Sequence, residues 1–179
     1  VALLALVLSA GGALAQEACP AAPDHTTKRA ELLRDLRVAR DAADAQLITA
    51  DLWDLWTDAP DRRAQGMLDE GMALIGTLDY PGSEAVLGEL VDYCPDYAEG
   101  WNQRAFARFL MGTFDAALGD LDRALAIDPR HVPALAGKAL VLMHLGRQDE
   151  AQLVLREAVR MNPWLQERAL LTIPMDVEL

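Results

Sequence analysis

Apolar residues recur every three to four positions along most of this chain, and Gly, Pro, Asp or Asn interrupt them at short intervals. That pattern predicts a succession of amphipathic helices and no strands. Leu32, Leu33, Leu36, Val38 and Ala39 make the first stripe, which Thr26 or Thr27 can cap, so a helix is expected to run to about Ala45. A second helix is expected over 47–56. It would carry Leu52, Trp53, Leu55 and Trp56 on one side, Asp51, Asp54 and Asp58 on the other, and stop before Pro60. Paired tryptophans of this kind close the open end of a helical stack, with a ligand platform as the alternative.

Beyond Arg63 the pattern becomes periodic. Blocks 98–131 and 132–165 align without a gap at a spacing of 34 residues. Ala105 matches Ala139, Gly112 matches Gly146, Ala117 matches Ala151, Leu121 matches Leu155, Ala124 matches Ala158, and Pro129 matches Pro163. Small residues fall where two helices must approach, glycine falls where a left-handed turn ends a helix, and proline falls where a helix must stop. The blocks therefore predict helices near 97–111, 114–127, 131–145 and 148–161. Residues 64–97 keep the same frame at Gly71, Tyr80, Ser83, Leu87 and Pro95. Leu78 stands at the turn glycine's place and Pro81-Gly82 follows, so a reshaped turn is expected there. The frame fails earlier, which leaves 27–61 as a degenerate N-terminal helical cap. A short amphipathic capping helix is expected over 164–171, and a tail over 172–179.

The period and its small-residue positions resemble the tetratricopeptide repeat. Trp101-Asn102-Gln103-Arg104-Ala105 and Asp128-Pro129-Arg130-His131 resemble the form found in small bacterial exported repeat proteins. The resemblance implies an all-α solenoid over 62–171, built of about three helix-turn-helix units over 64–97, 98–131 and 132–165. The first helix of each unit would line a concave face where peptides or partner helices dock. By that resemblance Leu68, Met72, Ile75, Asn102, Phe106, Phe109, Leu140 and Met143 line the groove. Such a strip is more apolar than a face meant for water, and Asn102 would donate to a bound backbone. The alternative occupant is the chain's own helix over 27–45. Arg104 departs from the usual repeat pattern, which has leucine there. A charge beside packed alanines needs a partner, and Asp120 or Asp122 on the second helix of that unit can supply it. The functional alternative makes Arg104 a clamp for a partner's terminal carboxylate.

Composition and charge narrow the remaining choices. An apolar content of 52% in 179 residues argues for a packed domain. Residues 1–15 carry no charge, are apolar over Val1–Leu8 and end Ala13-Leu14-Ala15, the pattern of a secretory signal cut near Ala15-Gln16, so a periplasmic or secreted bacterial protein is expected. A short basic segment with an initiator Met is expected to precede Val1. The stretch is shorter than the roughly 20 apolar residues that span a bilayer, and Gln16 spoils a lipoprotein signal at Cys19. Residues 16–26, with Pro20 and Pro23, read as a linker.

The two cysteines, Cys19 and Cys94, form a bridge in one reading and remain free thiols in the other. A bridge closing so long a loop would stabilise by about 4 kcal/mol. The net charge of −12 disfavours nucleic acid and anionic lipid. His25, His131 and His144 are scattered, and no metal, phosphate-loop or nucleophile-elbow motif is present. Asp51, Asp54, Asp58 and Asp61 lack the glycine and terminal glutamate of a calcium loop. No enzyme, cofactor or small-molecule substrate is expected. The expected function is capture of another protein or peptide, and the alternative is a structural envelope subunit whose groove is self-filled or used for oligomerisation.

Overall fold

The computed structural model describes residues 18–172, and among them every regular element is helical. The order is α1 (Thr26–Arg37), α2 (Ala42–Trp56), α3 (Arg62–Gly76), α4 (Tyr80–Tyr93), α5 (Ala98–Leu110), α6 (Phe114–Ile127), α7 (Val132–His144) and α8 (Gln148–Met161), followed by a 3-10 turn at Gln166–Leu170. The expected signal segment over 1–15 and the tail beyond Thr172 lie outside the described residues. No helix among the described residues is long and apolar enough to cross a membrane.

Helices α3 to α8 stack in sequence as three hairpins, and the first helices of the hairpins, α3, α5 and α7, also touch one another along one face. Small residues set the spacing inside each hairpin. Ala105, Ala117, Ala139 and Ala151 are buried to 1% exposure or less. Their counterparts in the first hairpin are Gly71 and Ser83, and the Ser83 hydroxyl donates to the Gly71 carbonyl at 2.9 Å. A methyl on Gly71 would lie 2.5 Å from Leu87 Cγ, so only glycine allows this approach. Leu87, Leu121 and Leu155 fill the equivalent core site of each repeat at 0–2% exposure.

The turn at Leu78 is a correction to the sequence reading. Leu78 adopts φ 65°, beside 75° at Gly112 and 74° at Gly146. Its backbone bonds match as well: Asp79 N donates to Leu74 O at 2.9 Å, as Thr113 N does to Arg108 O at 3.0 Å and Arg147 N to Leu142 O at 2.9 Å. The turn is not reshaped. The packed helices impose a left-handed conformation on a residue that disfavours it.

The N-terminal helices differ from expectation in length and in place. α1 stops at Arg37 rather than near Ala45. Val38 leaves the apolar stripe and is 77% exposed. The Asp41 side chain then accepts from Asp44 N at 2.9 Å and starts α2. The α1–α2 pair does not simply plug the open end of the stack. α1 lies against α8, and Trp164 Nε1 donates to the Leu36 carbonyl at 3.1 Å. Leu32, Leu33, Leu36, Leu52 and Trp56 bury themselves with Val132, flanked by Met161, Trp164 and Leu165. The hairpin therefore bridges from the first repeat to the last.

Its base is tied to the array by several bonds. Tyr97 Oη donates to the Trp56 carbonyl at 2.8 Å, and the Trp56 ring lies 5.2 Å from that of His131. Arg29 reaches Asp128 at 3.3 Å, and a disulfide joins Cys19 to Cys94 at the end of α4. Because α1, Trp164 and Leu165 cover the last repeat, a capping α-helix is not needed there. The segment expected to form one contains a 3-10 turn with no buried residue.

Candidate functional site

The shared face of α3, α5 and α7 encloses an open cavity of about 370 Å³. Of the eight residues placed there by repeat register, Met72, Ile75, Asn102, Phe106, Phe109 and Leu140 line it. Leu68 does not. It is 0% exposed and packs with Leu87, Leu90 and Tyr97 in the core between α3 and α4. Met143 is also misplaced by register: it packs with Ala139, Leu155 and Val159 toward α8. Both residues stand on the side of their helix that the second helix of the hairpin covers. Trp53 of α2 and Leu165, which register did not suggest, complete the wall. The chain's own N-terminal pair thus occupies one end of the groove and leaves the rest open.

Phe106 and Phe109 are not equivalent. Phe106 is 46% exposed on the cavity wall. Phe109 is half-buried, 5.7 Å from the Phe114 ring and edge-on to His144 at 5.0 Å. Its ring holds α5 to α6 as well as facing the cavity.

Asn102 has a different task from the one expected. It is 7% exposed, and its amide donates to the Glu99 carboxylate at 3.2 Å, so it is not a free donor for a partner backbone. Gln103 donates to the same carboxylate, and His131 Nε2 approaches it at 2.9 Å. His131 Nδ1 accepts from Ala134 N at 3.2 Å and so caps α7, which leaves the ring proton on Nε2, close to Glu99 but not aligned in a hydrogen bond with it. Glu99 and His131 are both 1% exposed. Nothing in the local sequence marks this network. The repeat register does, because Glu99 and His131 stand at the same ends of neighbouring first helices. Burial, and then the carboxylates of Glu99, Asp58 and Asp69, push the nearby Tyr97 hydroxyl far above its ordinary value of 10.0.

The arginines of α5 turn toward α4 and α6. Arg104 grips Asp120 through two bonds, Nε to Oδ2 at 2.9 Å and Nη2 to Oδ1 at 2.7 Å. Arg108 Nη1 shares Oδ2 at 2.8 Å, and its Nε meets Glu84 at 2.7 Å. Asp122 instead pairs with Lys138 at 2.6 Å. The Arg104 guanidinium lies 4.8 Å from the centre of the Trp101 ring. Bound in this way, Arg104 is spent inside the protein and is not placed as a clamp for an incoming carboxylate. Among the described residues, no group of three or more His, Cys, Asp or Glu side chains is arranged to hold a metal ion.

Comparison with known proteins gives a consistent picture. Residues 108–164 match the tetratricopeptide repeat family. A TPR repeat-containing protein of Rhizobium etli is 31% identical over 119 residues, covering 66% of this chain and 58% of that protein. The chain therefore spans less than two-thirds of that relative's length. Among solved structures, the chain is similar to the TPR2B domain of yeast Sti1 in its pHsp70 complex. The TM-score is 0.55 at 25% identity, over 56% of this chain and 81% of that one. It is also similar to the first TPR of Spaghetti (RPAP3) bound to the HSP90 peptide SRMEEVD, with TM-score 0.58 over 59% of this chain and 84% of that one. At 19% identity the second likeness is one of fold.

Proposed function

We propose, from the premise that this chain is a tetratricopeptide-repeat protein, that it is an exported module without chemistry of its own, holding a segment of another protein in the groove between α3, α5 and α7. The observation that carries this reading is the open apolar cavity of about 370 Å³ with the Phe106 ring 46% exposed on its wall. Apolar surface held open beside a concavity is the usual mark of a docking site. The similar solved domains whose names include a peptide or pHsp70 support it by analogy. Export is supported by the signal-like pattern of residues 1–15 and by the Cys19–Cys94 disulfide, a bond that persists in oxidising compartments.

The test is capture by the immobilised chain from envelope extract. Phe106→Asp should lose the captured protein while its circular dichroism and melting midpoint stay those of the parent. Equal capture by both would overturn the groove reading. For export, N-terminal sequencing of the chain recovered from the envelope should begin at Gln16, and recovery from the cytoplasm with residues 1–15 intact would refute it. A second reading is favoured by Trp53 and Leu165, which already stand in the groove. It makes the chain a structural subunit whose groove is closed on itself, and light scattering showing a concentration-independent oligomer would favour it.

A further inference from the structure

The cavity wall divides by chemistry. Trp53, Met72, Ile75, Phe106, Phe109 and Leu140 supply ring and aliphatic surface, and no lysine or arginine is among the described residues that line it. Glu167 is the single charged liner. The side-chain amides of Asn102 and Gln103 are already given to Glu99. Arg104 and Arg108, the cations that α5 could offer, are held by Asp120 and Glu84. A carboxylate entering this groove would lose its water and meet no cation, which is strongly unfavourable. A cation carried beside an apolar anchor would meet Glu167, and the net charge of −12 attracts it from a distance.

Trp53 and Leu165 set the length of what can bind. They come from α2 and from the segment after α8, and they wall off the side next to the N-terminal hairpin. The remaining 370 Å³ is near the small end of the range for binding pockets. It suits a few bulky side chains rather than a strand laid across the whole array.

Accepting the groove as a partner site, we infer that its occupant is the apolar face of a basic amphipathic segment, with bulky apolar anchors flanked by lysine or arginine. Acidic peptides such as the SRMEEVD named with a structurally similar domain are rejected.

The experiment titrates the full chain with three fluorescein-labelled peptides, followed by anisotropy. Two are amphipathic peptides sharing one Leu/Trp face, with lysine at the polar positions of one and glutamate at those of the other. The third is SRMEEVD. The lysine peptide should bind about ten-fold or more tighter than the glutamate peptide, weaken with salt, and lose about ten-fold on Phe106→Asp. Glu167→Lys, on a surface turn away from the core, should narrow the lysine-to-glutamate preference about three-fold. If the glutamate peptide or SRMEEVD binds as tightly as the lysine peptide and still depends on Phe106, this inference fails while the groove remains a partner site. If no peptide binds in a Phe106-dependent way, both readings fail. Phe106-dependent binding of an apolar dye alone would also defeat both and mark a small-molecule pocket.

Discussion

Leu78 holds a left-handed backbone at φ 65° with its side chain 71% exposed. That conformation costs a residue with a Cβ about 1–2 kcal/mol, and an exposed leucine recovers little of it by packing. Leu78→Gly should therefore stabilise the protein by up to about 1 kcal/mol, after allowing for the freer unfolded chain. This is readable as a thermal midpoint higher by about 2–4 °C. Leu78→Ala should gain nothing, since alanine also carries a Cβ. The residue was legible as an exception to the glycine pattern, but its effect was not. Residue preference says where a turn is easy, and only the packed hairpin says that it forms anyway. Tyr97 makes a second prediction. Its hydroxyl, bonded to the Trp56 carbonyl and 6% exposed, is held far above its ordinary value of 10.0. The folded form keeps this proton where the unfolded form has lost it, so the contribution is complete below pH 10 and declines as pH rises further. Urea midpoints should fall above pH 10, and Tyr97→Phe should flatten that decline while losing about 1 kcal/mol at neutral pH.

At the scale of elements, the three second helices meet one problem at their ends, and two of them solve it alike. Asp128 accepts from Arg130 N at 3.1 Å, and Asn162 accepts from Trp164 N at 2.9 Å, each turning the chain after its helix. The first repeat has Cys94 at that register position, where its sulfur ties down the segment before α1. Replacing both Cys19 and Cys94 by serine should lower stability by about 4 kcal/mol, measured in urea beside the oxidised parent. Reductant should then affect the parent alone. The repeat helices were legible because their spacing is enforced at both ends, by small residues inside and by Gly or Pro at the stops. The groove was legible only in part, since register fixes a helix face but not which neighbour covers its edge. Leu68 and Met143 fell on the covered side for that reason. Asn102 was misread because its claimant, Glu99, stands one turn earlier on α5, and register alone does not weigh an i, i+3 pair against the groove.

At the scale of the molecule, the α1–α8 contact changes what kind of object this is. An open array of repeats is stabilised by neighbours alone and can unravel from its ends. Here the Trp164–Leu36 bond links residues 128 apart in sequence and ties the last repeat to α1. Urea unfolding should accordingly be one transition, seen alike by circular dichroism and by amide protection in α8. Leu36→Ala, at a site 0% exposed, should cost about 3 kcal/mol and strip protection from α1, α2 and α8 before α5 and α6. The sequence could not show this closure. The stripe on α1 declares that something must cover it, but a stripe carries no address.

The same closure imposes an order on biosynthesis. When α1 and α2 leave the ribosome, the wall they will rest against, Val132 through Leu165, has not yet been translated. They must wait with Leu32, Leu33 and Leu36 uncovered, a sticky intermediate that invites a chaperone. Cys94 precedes Trp164 in the chain, so in an oxidising compartment that receives the chain from its N-terminal end the sulfur link can leash the waiting helices near their berth before the berth is complete.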